Sequence, residues 1–282
     1  MQHLQTIVTL RQALDTHRQQ GQRIAVVPTM GNLHAGHIHL VEQARMHGDI
    51  VVCTIFVNPM QFGRNEDLDS YPRTLAADIS KLQDAGCDLL FAPSVQEIYP
   101  RGLDQHTVVS VPQVSARHCG ASRPGHFDGV STVVCKLFNL VQPHVALFGL
   151  KDYQQLMVIR KMVSDLCLRV ELVGVPTQRE VDGLALSSRN GYLNPEQRQI
   201  APVLYQCLQQ ARDQLLQGVP FSTVENQASA HLQQAGFRPD YVHVSHALTL
   251  DPAQSGDKEL VILAAAWLGS TRLIDNIEVS LP

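Results

Sequence analysis

The chain has 282 residues, with 22 Lys and Arg against 26 Asp and Glu, a formal net charge of −4. Its 44% hydrophobic and 17% charged residues exclude a long disordered chain, and the acidic balance excludes a basic nucleic-acid surface. At about 100 to 200 residues per domain, the length allows one large domain or a medium one with a smaller companion.

Short apolar, β-branched runs at 24–27, 50–57, 89–92, 145–148 and 170–175 have the composition of buried parallel strands. Between them, 36–47, 75–85, 130–141 and 153–167 carry apolar residues at helical spacing. The alternation predicts an α/β fold, a doubly wound parallel sheet, over residues 1–177. Beyond Gly183 the grammar changes. Asn194 followed by Pro195 predicts a helix start, 222–225 reads as a capping box opening another helix, and Gly236 ends it. Strand patterns at 241–244, 260–265 and 272–279 follow those helices, so 178–282 is expected to be a smaller α+β domain.

Six widely spaced cysteines without a C-x-x-C pair predict free thiols in a reducing compartment. The start of the chain lacks a basic region followed by an apolar stretch, and the longest apolar run, 260–268, is too short to span a bilayer. The expectation is a cytoplasmic protein with no membrane or nucleic-acid partner.

Four constellations carry chemistry. The first, Met30-Gly31-Asn32-Leu33-His34-Ala35-Gly36-His37, lies where a buried strand gives way to a helix, the usual place for a ligand crevice in an open α/β sheet. His34 and His37 are spaced to face one point. The helix N-terminus is expected to offer unpaired amides to a nucleotide phosphate. The plain alternative is that the two histidines cap the loop. A metal trio with His39 is the weaker reading, because no carboxylate or cysteine completes a ligand set with the three histidines.

The second constellation, around Asn58 and Gln61, also follows a strand, and its uncharged amides suit a small polar substrate; an ordinary Asn-Pro turn is the alternative. The third, Gly149-Leu150-Lys151-Asp152, leads into a helix carrying Gln155 and supplies a lysine for phosphate charge, or else an exposed ion pair at a helix start. The fourth, Leu186-Ser187-Ser188-Arg189, offers two hydroxyls and a guanidinium as a phosphate clamp, or simply a helix cap. Three of the four follow strands of one sheet and the fourth opens the second domain, which together predict a nucleotide site between domains.

These motifs, with Arg123-Pro124-Gly125-His126-Phe127 and 268–276, closely resemble the pantothenate synthetase family, the pantoate beta-alanine ligases of the H-x-G-H nucleotidyl-transfer superfamily. The resemblance runs over nearly the whole chain. It implies a homodimer with a Rossmann-like first domain and a smaller lid. It also implies ATP-driven, Mg²⁺-dependent condensation of (R)-pantoate with beta-alanine through a pantoyl adenylate. Carried over by position, Met30 to His37, Gly149 to Asp152, Gln178 through its backbone, and Leu186 to Arg189 hold ATP. His34, His37 as proton donor, Lys151, Ser187 and Arg189 act in catalysis. Gln61 and Gln155 hold pantoate with Asn58 close by, and Gln61 also meets beta-alanine; the protein ligands of Mg²⁺ are unknown.

Three positions depart from the family pattern: Leu150 replaces a usual Glu, Gln178 a small aliphatic residue, and Ser270 a common lysine. Two rival functions share these motifs. A nucleotidylyltransferase acting on a phosphate would want cations where Asn58 and Gln61 stand. A catalytically inactive ATP-binding regulatory protein of the same fold is the other, and it would bind ATP without releasing pyrophosphate.

Overall fold

The computed structural model describes residues 1–63 and 66–282. The chain divides into two compact units. The first comprises Met1–Pro112, Arg123–Leu150 and Val158–Pro176; the second comprises Gln113–Ser122, Lys151–Met157 and Thr177–Pro282.

In the first unit, β1 (Gln2–Leu4) leads into α1 (Ile7–Gln19), then β2 (Ile24–Thr29), α2 (Ala35–Ala44), β3 (Ile50–Ile55), α3 (Leu75–Asp84), β4 (Leu89–Phe91) and the short α4 (Val95–Ile98). A four-residue turn of helix, α5 (Cys119–Ser122), belongs to the second unit and precedes α6 (His126–Val141) and β5 (Val145–Gly149). The helix α7 (Tyr153–Asp165) and β6 (Glu171–Val175) complete the sheet. All pairings are parallel, in the order β1-β4-β3-β2-β5-β6.

The sheet is doubly wound because both of its faces are apolar. Val27, Cys53, Leu90 and Leu147 form one core with Leu40 and Val41 of α2 and Leu82 of α3. On the other side, α6 packs against β2 and α1. Each such side chain withdrawn from water contributes about 1.5–3 kcal/mol. Strand order reverses between β2 and β5, so the topological switch point lies where Thr29 and Gly149 end their strands.

In the second unit, α8 (Pro195–Ile200), α9 (Val203–Leu216) and α10 (Phe221–Gln234) precede an antiparallel meander of β7 (Arg238–His246), β8 (Glu259–Leu268) and β9 (Thr271–Ser280). Leu204, Leu208, Val224 and Leu232 pack on Val242, Ile262, Leu273 and Val279. Asn194 caps α8 reciprocally with Gln197. The expected capping box at 222–225 is not formed. α10 starts at Phe221 after Pro220 and has no side-chain cap, while Glu225 Oε1 instead accepts the Val244 amide at 2.7 Å. A tertiary partner has taken the carboxylate that a local pattern assigned to the cap.

Two segments from within the first 177 residues group with the second unit, each for a visible reason. Gln154 is buried, accepting the Cys119 amide and donating to the carbonyls of Val114 and Arg117. Cys119 in turn meets Tyr241 and Arg272, and Tyr153 Oη bonds Ala247 O and Glu278. The chain therefore crosses between units five times, at 112/113, 122/123, 150/151, 157/158 and 176/177.

Candidate active site

The loop leaving β2 is built around two left-handed residues, Gly31 (φ 84°) and Asn32 (φ 50°). A Cβ at Gly31 would stand 3.0 Å from Ile55 Cγ2 and 3.3 Å from Asp78 Oδ2, so glycine is required there for space as well as for φ. Asp78 of α3 is fully buried and accepts the amides of Asn32 (2.9 Å) and Leu33 (2.8 Å) and the Thr74 hydroxyl (3.1 Å). Lys81, one turn along α3, donates to Leu33 O at 2.6 Å.

His34 is the N-cap of α2. Its Nδ1 accepts the Gly36 amide at 3.2 Å, and His37 Nδ1 accepts the His34 amide at 3.3 Å, with the rings 4.0 Å apart. A backbone N–H can only donate, so both Nδ1 atoms are unprotonated and each neutral ring carries its proton on Nε2. Capping in this way fixes both rings at the start of α2. The expectation of unpaired amides needs correction. The amides of Asn32, Leu33, Gly36 and His37 are all taken within the protein.

Gln61 lies in a 3₁₀ turn, Pro59–Gln61, pressed against α6 at Gly129. A Cβ on Gly129 would come within 2.5 Å of Gln61 N and closer still to Met60 O. Asn58 is buried and saturated. Its Oδ1 accepts from Tyr99 Oη (2.7 Å) and Met60 N, and its Nδ2 donates to Gly129 O and Gln61 Oε1. Asn58 thereby orients the Gln61 amide, whose Nε2 lies 3.1 Å from Met30 Sδ.

The backbone of Gln61 is held as well, by His126 Nδ1 at 2.8 Å. A carbonyl only accepts and Arg123 Nη1 only donates, so His126 is neutral with its proton on Nδ1. Arg123 also forms a bidentate pair with Glu66. Burial raises that carboxyl, but the two Arg123 bonds outweigh it and hold it below the ordinary carboxylate range. Burial pushes the Tyr99 phenol up, so it remains a donor.

In the second unit, Lys151 is mostly buried, its Nζ 3.8 Å from Asp152, and its carbonyl accepts Asn276 Nδ2 at 3.0 Å. Gln178 O accepts the Leu186 amide at 2.9 Å, and Arg179 bridges to Ala185, so 178–186 is a hairpin that delivers Ser187. Ser187 caps the next 3₁₀ turn through the Arg189 amide. Gln155 is partly buried one residue beyond the Gln154 staple. Nearby, His118 Nε2 donates to Leu250 O and its Nδ1 meets His243. Burial, opposed by the Leu250 carbonyl and reinforced by His243 and Arg117, pushes His118 down to about 4.

Known proteins match this chain from end to end. The family model described as pantoate-beta-alanine ligase matches residues 2–278. The chain belongs to this family. Pantothenate synthetase from Marinobacter nauticus is 57% identical over 99% of this chain and 100% of its own. That from Pseudomonas aeruginosa is 56% identical over 100% of both. A crystal structure of the Thermus thermophilus synthetase superposes with a TM-score of 0.93 at 48% identity, covering 100% of each chain. Pantoate-beta-alanine ligase from Francisella tularensis, solved with β-γ ATP and beta-alanine, has a TM-score of 0.82 at 34% identity, covering 98% of this chain and 97% of that one. The protein is a ligase that joins pantoate to beta-alanine.

Asp78, Tyr99, His126, Asp275 and Asn276 were not singled out from the motifs as site residues. Asp78 carries a usable signal, a carboxylate four residues before Leu82 on the apolar stripe of α3. The pairing of Asn276 with Lys151 has none, since 125 residues separate them.

Proposed function

We propose that the ligase works through a pantoyl adenylate made from ATP and (R)-pantoate, which beta-alanine then converts to (R)-pantothenate with release of AMP. A carboxylate is a poor acceptor for an amine at neutral pH, and adenylation gives it a better leaving group. Pantoate attacks the α-phosphate in line, pyrophosphate departs, and negative charge accumulates on phosphate oxygens. The observation that carries the reading is the loop at the switch point of the sheet, where buried Asp78 accepts the Asn32 and Leu33 amides and the Nδ1 atoms of His34 and His37 each accept a backbone amide, which orients both rings.

In this reading Met30 to His37, Gly149 to Asp152, the Gln178 backbone and Leu186 to Arg189 hold ATP. His37 supplies the proton or hydrogen bond to the departing pyrophosphate. His34, Lys151, Ser187 and Arg189 stabilise phosphate charge. Gln61 and Gln155 hold pantoate, Asn58 orients Gln61, and Gln61 also meets the incoming amine. The ATP and beta-alanine bound in the Francisella tularensis relative support both substrate classes.

Among the described residues no three His, Cys, Asp or Glu side chains gather as a metal site. That fits Mg²⁺ arriving on the nucleotide, since this ion is commonly held through substrate phosphates and water. When bound it would neutralise phosphate charge. The reading extends to a cytoplasmic homodimer. Free thiols at all six cysteines fit a reducing compartment, and no helix among the described residues is long and apolar enough to cross a membrane.

The test is pyrophosphate release from ATP, Mg²⁺ and (R)-pantoate at enzyme concentrations comparable to substrate. One equivalent released as a burst, turning into steady release when beta-alanine is added, is the expected result. ATP binding with neither burst nor turnover would overturn the adenylate route.

A further inference from the structure

Side chains of adjacent residues in a strand point to opposite faces, so a dipeptide in β9 can serve two layers at once. Asp275 and Asn276 are both buried and do so. On one face Asn276 Nδ2 donates to Lys151 O at 3.0 Å, and two residues on, Glu278 accepts Tyr153 Oη at 3.0 Å. The backbone at Lys151 is thereby bolted to the strand. A lysine has four rotatable bonds beyond Cα, and fixing its root limits where the ammonium can go.

On the opposite face Asp275 receives Arg179 through two parallel bonds of 2.6 and 2.9 Å. The same guanidinium donates to Gly183 O at 3.1 Å and lies 3.4 Å over the Tyr205 ring. Arg179 is part of the 178–186 hairpin, whose next residue is Ser187. A buried ion pair is a weak source of stability, because desolvation offsets its attraction; what a bidentate pair fixes is direction.

We propose that Asp275 and Asn276 are positioning residues for adenylation, with Asn276 aiming Lys151 and Asp275 holding, through Arg179, the hairpin that presents Ser187 and Arg189. The inference rests on the assignment of Lys151, Ser187 and Arg189 to ATP. Neither residue needs to touch substrate; each acts through a loop whose reach is set by β9.

Single-turnover pyrophosphate release from Mg²⁺-ATP and pantoate decides it, measured for the wild type, Asn276→Ala, Lys151→Ala and the double variant. Small misplacement of a catalytic group can cost on the order of 10²-fold, so Asn276→Ala is expected to slow release by about 10-fold or more, with the KM for pantoate within about twofold. The double variant is expected to match Lys151→Ala within about twofold, because a residue acting through Lys151 has nothing left to position. Asn276→Asp keeps the size, loses the donor and is expected to be slowed alike, which covers a poorly folding alanine variant. The Asn276 factor appearing in full in the double variant, or a wild-type rate in Asn276→Ala and Asn276→Asp, overturns the inference alone. A wild-type rate in Lys151→Ala overturns the assignment of Lys151 and the inference with it. Asp275→Asn, cycled against Arg189→Ala, is expected to show the same non-additivity.

Discussion

Asp78→Asn separates loop architecture from substrate contact. The carboxylate accepts two backbone amides at 2.8 and 2.9 Å and a hydroxyl at 3.1 Å, with no exposure to solvent. A carboxamide has one oxygen for the two amides, and its NH₂ would face a backbone N–H. One charge-assisted bond is lost outright and the other becomes neutral. Hydrogen bonds to charged groups contribute about 1.5–3 kcal/mol each, so the loop should lose about 3–5 kcal/mol of anchoring. That is tolerable within a total stability of about 5–15 kcal/mol. Urea unfolding should show a midpoint lowered accordingly, and initial rates should show the KM for ATP raised at least about 10-fold, with a smaller change for pantoate. An unchanged midpoint together with an unchanged KM for ATP would falsify the claim that Asp78 holds the nucleotide loop.

Other consequences are equally open to measurement. In His37→Asn the amide oxygen can replace Nδ1 as the acceptor for the His34 amide, while the Nε2–H donor is lost. Adenylation should therefore fall by roughly 10² to 10³ with little change in melting temperature; a large loss of stability at an unchanged rate would refute the assigned tautomer. Gly129→Ala forces a methyl against Met60 O and Gln61 N. It should cost about 1–3 kcal/mol and raise the KM for pantoate more than that for ATP, measured by denaturation and initial rates. His118 is depressed to about 4 in the folded protein from an ordinary 6.5. A group whose folded value lies below its unfolded one contributes stability that is present above 6.5 and lost as pH falls toward 4, here about 3 kcal/mol in all. Urea unfolding of His118→Gln against the wild type across pH 4 to 7 should show this acid-dependent component disappear.

The parallel sheet was legible because strands buried on both faces must be continuously apolar, and β2, β3 and β5 are. β1 escaped notice because it has three residues, two of them exposed, and exists through pairing with β4. The pattern at 222–225 misled because Glu225 has a stronger use at Val244 than at its own helix terminus. The motif residues of the site could be chosen from local spacing and family resemblance. Their supports could not, since Tyr99, Gly129 and His126 lie 38 to 68 residues from Gln61 in sequence and touch its turn only after folding. Counting amides at a helix start likewise overestimates the donors available, because buried acceptors such as Asp78 claim them first.

The five passages of the chain between its two units carry a lesson for anyone cutting or shuffling the gene. A fragment ending at Pro176 would retain Gln113–Ser122 and Lys151–Met157 but discard Tyr241, His243, Arg272, Asn276 and Glu278, their hydrogen-bonding partners. The complementary fragment would bare the face of β9 that those segments cover. The units are thus compact in space without being exchangeable as cassettes: a swap of the C-terminal part between relatives has to bring its two short inserts along.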